Sequence, residues 1–227
     1  MARSFNGVND HTSHGDNVRI DKDDPQTIVY AVRLPDTASE AKFIIAKQDN
    51  FVDGIGWNSV IGTNGTVGVT VRDNGVGQKS RNSTSTVDDD NWHIIVITID
   101  ATINMSGLLM YIDGITETMV AGLDTLVNSS LSAEALQIAC REGCTFSELA
   151  GEVANYAHYG REFKTDAAQA LSRGVNPFGF GNMRIFCPLA GDKSPEPDIS
   201  GNDLDGTLTG TTKFNGNPAV ELIENYL

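Results

Sequence analysis

Apolar and polar positions alternate in short runs over most of the chain, and the runs are cut by Gly, Asn, Asp and Pro. Thr27-Ile28-Val29-Tyr30-Ala31-Val32-Arg33-Leu34 reads as a β-strand stopped by Pro35-Asp36, and Phe43-Ile44-Ile45-Ala46 as a short, fully apolar one. Trp57 to Ile61 leads into Thr63-Asn64-Gly65, after which Val67, Val69 and Val71 alternate with small or polar residues. Asn64-Gly65 between two β-rich runs predicts a hairpin, because both residues tolerate positive φ. Asp73-Asn74-Gly75 closes the second strand in the same way. Trp92-His93-Ile94-Ile95-Val96-Ile97-Thr98-Ile99 is apolar on both faces, as a strand covered on both sides must be. Leu108 to Gly114 follows as its expected antiparallel neighbour, and Leu136–Ala139 and Gly151–Ala157 supply two more strands. The pattern changes to a helical one only at Asp166–Gly174. There Thr165 is the expected N-cap, Asp166 and Arg173 complement the helix ends, and Gly174 can terminate the helix in the left-handed conformation. Many short strands with regular turn signals predict an all-β fold of two antiparallel sheets, with one short helix near 165–174.

From about residue 184 the apolar residues thin out and Gly, Pro, Asp, Asn, Ser and Thr dominate. This predicts an extended C-terminal arm over 184–227, following a domain over 1–183, without a core of its own. Composition bounds the rest. The chain has 227 residues, with 16 Lys and Arg against 30 Asp and Glu, for a formal net charge of −14. A nucleic-acid binder needs a basic face, so direct contact with nucleic acid is not expected. No apolar run is long enough to cross a bilayer, and Met1–Asn6 lack the apolar core of a secretory signal, so synthesis in a reducing host cytoplasm is the expectation. Cys140 and Cys144 flank the turn-like Arg141-Glu142-Gly143, which leaves a bridge across a hairpin geometrically open. As metal ligands they are not expected, since no second Cys pair or His pair completes a four-ligand set; the expectation is that all three cysteines, Cys187 included, are buried small hydrophobes.

Several segments together are similar to one known family. Phe5-Asn6-Gly7-Val8-Asn9-Asp10, Asp90-Asn91-Trp92-His93, Leu109-Met110-Tyr111-Ile112-Asp113-Gly114, Gly151-Glu152-Val153 and the helix followed by Asn176-Pro177-Phe178 stand in the order of the laminin-G-like, concanavalin A-like lectin/glucanase jelly roll. The resemblance spans roughly residues 5–180 and implies a jelly-roll sandwich. Two departures accompany it. Val153-Ala154-Asn155 lacks the carboxylates that the family often carries there, which weakens a borrowed calcium site. Pro188 to Gly210 looks like the segment that usually precedes the opening motif, so the order is permuted. A jelly roll without its first strand leaves an unpaired edge. Residues 184–212 are therefore expected to return to their own sheet or to donate a strand to a neighbouring subunit, with Pro188, Leu189, Ile199, Leu204 and Leu208 as the pairing residues.

For catalysis, no strand carries the spaced acidic triplet of the family's glucanases, and no nucleophile–base constellation emerges, so a non-enzymatic protein is expected. Oxygen-rich segments at Asp49–Asp53 and Asp88–Asp90 could hold Ca²⁺, but a solvated turn is the expectation for each. His11 to Asp16 could supply metal ligands, with a polar arm as the default. Trp57, with Asp49 and Asp53, is a candidate sugar contact. Trp92 is another stacking candidate, although the fold normally buries an aromatic at both Trp positions. Tails of this kind recur in tailed-phage virion proteins that the chain resembles. The first expectation is therefore a structural protein on the outer surface of a virion, foremost a capsid decoration protein, partnered by a major capsid or other virion protein and homo-oligomeric. The alternative is a lectin-like module that binds a glycan.

Overall fold

The architecture was read from a computed structural model that describes residues 1–35, 40–49, 54–73, 77–102, 104–141, 144, 147–191 and 193–215. Asn74 and Gly75 of the second turn signal, Asn50–Asp53 of the first acidic segment and the arm's last residues, 216–227, lie outside them. Sixteen strands are described: β1 (Ala2–Asn6), β2 (His11–Ser13), β3 (Gln26–Arg33), β4 (Lys42–Gln48), β5 (Gly56–Ile61), β6 (Thr66–Arg72), β7 (Gln78–Thr86) and β8 (Trp92–Ile99), then β9 (Leu108–Ile112), β10 (Ile115–Thr116), β11 (Met119–Asp124), β12 (Gln137–Ile138), β13 (Ala150–Tyr159), β14 (Met183–Cys187), β15 (Thr207–Thr209) and β16 (Thr212–Phe214). They form two antiparallel sheets. The first runs β10-β9-β8-β3-β13-β1-β16, with β14 also on β13; the second runs β11-β7-β6-β5-β4-β12-β2-β15.

Alternation along the strands explains why the sheets stack. In β3, Ile28, Tyr30 and Val32 face the second sheet, and in β8 so do Ile95, Ile97 and Ile99. Val67, Val69 and Val71 of β6 meet them from the other side, and Trp57 fills the space between. Trp57 is 1% exposed and packs edge-on to His158, so the expected sugar contact does not fall to it. The odd positions of β3 and the even positions of β8 form the outer face of the first sheet. Half of that face is covered by helix α1 (Thr165–Ser172), which sets Ala168 and Leu171 on Val29, Val96 and Tyr111. The helix begins one residue earlier than the sequence predicts. Thr165 is its first residue, not its cap, and its hydroxyl accepts from Tyr111 Oη at 3.4 Å. Gly174, at φ +87°, ends it as expected.

The Asn64-Gly65 hairpin forms with a four-residue loop instead of a two-residue one. Gly65 alone is left-handed there, at φ +76°, and a Cβ on it would lie 1.9 Å from Asp88 Oδ1. Cys140 and Cys144 are joined as a disulfide, which corrects the expectation of two buried thiols; Cys187 is free and buried. Cys144 N donates to Arg141 O at 2.8 Å, which holds Cys144 close to the chain that carries Cys140.

The arm returns to its own subunit. The sequence boundary at 183/184 falls inside β14, whose residues pair with Tyr156–Tyr159 of β13. Beyond it, Pro188 O accepts from Asn155 N at 3.0 Å, Leu189 is buried in the main core, and Ile199 N donates to Phe186 O at 2.9 Å. Leu204 packs on the main core, and its carbonyl accepts from His14 Nδ1 at 3.0 Å. Leu208 pairs with Thr12, so β15 closes the edge of the second sheet, while β16 pairs with β1 and closes the first. Within the single chain, the described part of the arm pairs with its own two sheets. The closure needs Gly206, because a Cβ there would sit 2.3 Å from the His14 ring.

A buried ion pair anchors the arm. Arg3 and Glu196 are 2% and 1% exposed, and Arg3 Nε donates to Glu196 Oε2 at 3.0 Å. Arg3 also donates to Thr211 Oγ1 and Lys193 O, and Glu196 Oε1 accepts from Leu189 N at 2.7 Å. Replacing one member leaves a buried charge uncompensated, so Glu196→Ala should cost about 3–5 kcal/mol in chemical denaturation. In hydrogen exchange the same variant should lose protection first in β15 and β16, and uniform loss throughout the fold would contradict the anchoring role.

Candidate functional site

The uncovered half of the first sheet's outer face carries an aromatic and charged patch. Strand register builds it as two rungs. Trp92 of β8 is paired with Arg33 of β3, Arg33 with Glu152 of β13, Glu152 with Ser4 of β1, and Ser4 with Thr212 of β16. One rung along lie Ile94, Ala31 and Ala154, with Ala2 and Phe214 continuing it on β1 and β16. The three alanines are at most 1% exposed and form a floor. Because that floor is shallow, Trp92 and Phe214 lean over it from opposite sides, with ring centroids 6.4 Å apart and planes tilted by 54°. Toward α1 the floor continues into an apolar hollow lined by Ile94, Leu171, Val175 and Pro177.

Charge borders the aromatic pair. Arg33 Nη2 lies 2.9 Å from Asp90 Oδ1, and Arg33 Nη1 lies 3.5 Å from Glu152 Oε2. The Arg33 guanidinium also sits 5.3 Å from the Phe214 ring centroid, in a cation–π contact. Burial pushes the Glu152 carboxyl above the usual carboxylate range, against the pull of Arg33. Ser4 Oγ donates to Glu152 Oε1 at 3.5 Å. The combination of an aromatic surface with adjacent donors and acceptors is what an apolar ring face edged by hydroxyls requires.

The acidic segment Asp88–Asp90 bounds the patch, and the carboxylates of Asp89 and Asp90 are engaged by cations and amides. Asp90 meets Arg33. Asp89 Oδ1 lies 2.9 Å from His93 Nε2 and accepts from Asn91 N at 3.0 Å; the Asn91 side chain foremost, then His93, holds its carboxyl down at about 2. His93 Nδ1 lies 2.7 Å from Asp113 Oδ2, so the imidazole is clamped between two carboxylates. The hydrogen bond that His93 donates to Asp113 does most to push the imidazole up to about 9, with Asp89 assisting against partial burial. Asp89 and Asp90 are thus held by local pairs with His93, Asn91 and Arg33. Of the other expected site residues, Asp49 N donates to Ile55 O at 3.2 Å and Asp53 lies outside the described residues. His14 is buried against Thr12 and Leu204, and burial lowers its pKa.

Sequence reasoning named Trp92 as a stacking candidate, but it did not single out Arg33, Glu152 and Phe214 as a site. Arg33 and Glu152 were visible only as strand residues, and they meet because β3 and β13 are neighbours despite a separation of more than a hundred residues. Nothing local marks Phe214.

The fold and the comparisons agree. Residues 6–168 match the family model described as the concanavalin A-like lectin/glucanases superfamily, laminin G type, and the chain belongs to that family. Among curated proteins none matches the chain. Among solved structures, the chain is similar to a Bacteroides ovatus protein described as a proposed carbohydrate-binding protein, at 15% identity and TM-score 0.66, over 96% of this chain and 61% of that one. It is also similar to the heptameric pentraxin of Limulus polyphemus, at 13% identity and TM-score 0.53, over 75% of this chain and 81% of that one. A third is the carbohydrate-binding module of a Ruminococcus gnavus sialidase, solved with α2,3-sialyllactose, at 12% identity and TM-score 0.52, over 66% and 83% of the two chains. At these identities the likeness is one of fold. No described helix is long and apolar enough to cross a membrane.

The His93 clamp has a pH signature. Its folded pKa of about 9 lies above the ordinary histidine value of 6.5, so its contribution is complete below pH 6.5 and is lost as pH rises through about 9. Stability measured by denaturant midpoint should therefore fall between pH 6.5 and 9, and His93→Gln should flatten that slope. An unchanged slope in the variant would show that other groups govern it.

Proposed function

We propose that the chain is a non-enzymatic, lectin-like module that binds a glycan on the outer face of its first sheet. The carrying observation is the placement of Trp92 and Phe214 over the alanine floor, with Arg33, Glu152 and Asp90 along their edge. A pyranose ring would stack its apolar face on Trp92, and its hydroxyls would exchange water for the Arg33 guanidinium and the Glu152 carboxylate. Support also comes from the family, a lectin/glucanase superfamily, and from neighbours whose descriptions include carbohydrate binding. Arg33 sits between the patch's two carboxylates and engages both, an arrangement suited to holding hydroxyls rather than to the acid–nucleophile pair of a glycosidase.

Screening on a glycan array, followed by calorimetry on the best ligand, tests this reading. Trp92→Ala should weaken binding tenfold or more, equivalent to about 1.4 kcal/mol, while leaving circular dichroism unchanged. Trp57→Ala should instead cost about 3–5 kcal/mol of stability, as truncation of a core aromatic does. Full glycan affinity in the Trp92 variant would remove the patch from the proposal.

A second reading, a structural protein on the outer surface of a tailed-phage virion and foremost a capsid decoration protein, draws on a different feature. β11 is an edge strand of the second sheet, and its Val120 and Leu123 are 52% and 55% exposed. An exposed edge with apolar side chains suits contact with another copy or with a capsid protein. The acid excess suits a solvent-facing layer. Light scattering should then show a homo-oligomer that Val120→Asp dissociates. A monomer at high concentration that also fails to decorate particles would rule against this reading.

A further inference from the structure

The fold brings together three soft metal ligands that lie far from the aromatic patch's residues in the pairing scheme. β12 pairs with β2 so that Ile138 is opposite Thr12, which carries the turn that follows β12 alongside His11. One ligand atom each from His11, Cys140 and Cys144 lies within 4.8 Å of the others, with Cys140 buried and the other two half-buried. Tetrahedral Zn²⁺, with Zn–S near 2.3 Å and Zn–N near 2.0 Å, holds such atoms about 3.5–3.8 Å apart; the two sulfurs are bonded to each other in the disulfide and must part on reduction to reach that spacing, while His11 already lies within 4.8 Å of both. The histidine is also prepared. His11 Nδ1 lies 3.0 Å from Asn9 O, and an Nδ1–H donated to that carbonyl fixes the tautomer that leaves Nε2 as a lone pair.

We propose that this disulfide is one of two states of the cluster, and that the reduced state is a Zn²⁺ site formed by Cys140, Cys144 and His11, with water in the fourth position. Both steps balance. A dithiol reductant supplies two electrons and two protons; the Cys140–Cys144 bond breaks, each sulfur gains a proton, and the reductant closes to its own disulfide. Zn²⁺ then displaces the two thiol protons to solvent and bonds two thiolates and a neutral imidazole. The charges of the ion and the two thiolates cancel, which suits a half-buried position. Two thiolates and one imidazole favour Zn²⁺ over the hard cations Ca²⁺ and Mg²⁺. The site is independent of glycan binding, since none of its ligands belongs to the patch.

The test uses the full chain, either oxidised or reduced with a dithiol that is then removed under inert gas. Zn²⁺ is titrated against a chromogenic chelator, and Co²⁺ replaces it for absorption spectroscopy. The expected result is one Zn²⁺ per reduced chain, a thiolate-to-cobalt charge-transfer band, and no binding by the oxidised chain. His11→Ala should weaken the reduced site at least tenfold, and Cys187→Ala should leave it unchanged. The oxidised wild type provides a ligand-deficient control that needs no substitution, so misfolding of a cysteine variant cannot blur the answer. Failure of the reduced, folded chain to bind Zn²⁺ stoichiometrically would overturn the proposal. So would binding that survives oxidation or is indifferent to His11→Ala.

Discussion

Arg3 and Glu196 sit almost at opposite ends of the chain and meet in the interior, where neither charge could remain alone. Removing two ions from water is costly, and the cost is met only when each finds its partner and the leftover hydrogen-bonding positions are filled. Here they are. Arg3 reaches Glu196, Thr211 and Lys193, and Glu196 reaches Arg3 and the Leu189 amide. Four contacts on one guanidinium and its carboxylate fix four residues of the arm: Leu189, Lys193, Glu196 and Thr211. The described residues past Leu189, as far as 215, therefore follow a defined path, and β15 and β16 arrive at the two open sheet edges in register. Edge closure follows from charge satisfaction rather than from hydrophobic pattern, which is weak in this part of the chain.

The outer-face patch depends on that path. Phe214 is the last residue of β16, and it lies over the floor only because β16 is docked on β1. The floor must be small-chained as well: a larger side chain at Ala2, Ala31 or Ala154 would fill the space over which Trp92 and Phe214 approach each other. Arg33 joins both features. It sits under the cation–π contact with Phe214 and ties the Asp90 turn and Glu152 to the same rung. His93, clamped by Asp89 and Asp113, fixes the other end of that turn. The patch is thus held from three sides by electrostatic contacts around a core of ordinary β packing.

This division explains what could be read from the sequence. β3, β8 and β9 were legible because their apolar residues alternate or run continuously, and burial on one or both faces imposes that pattern. α1 was legible to within a residue. β7 was not, because its most buried positions are Lys79 and Ser83, satisfied by hydrogen bonds instead of by apolar contact. β15 and β16 have three residues each and little apolar content, so they exist only through their partners. The disulfide fell outside expectation because compartment arguments cannot see that the two sulfurs come together. Glu152 and Arg33 were in plain view as residues, but their meeting is a property of strand order, which no local window contains.

The arm and the patch are consequently linked in the thermodynamic sense. A ligand that contacts Phe214 binds only the arm-docked state, and so it stabilises docking by the same free energy by which docking favours the ligand. An arm that left to pair with a neighbour would carry Phe214 away and leave Trp92 facing an open alanine floor. Strand donation by the arm and the glycan binding proposed for this face would therefore compete for one segment. The ion pair sets the balance between them. As long as Arg3 and Glu196 stay together in the interior, the arm belongs to its own subunit and the aromatic pair stays complete.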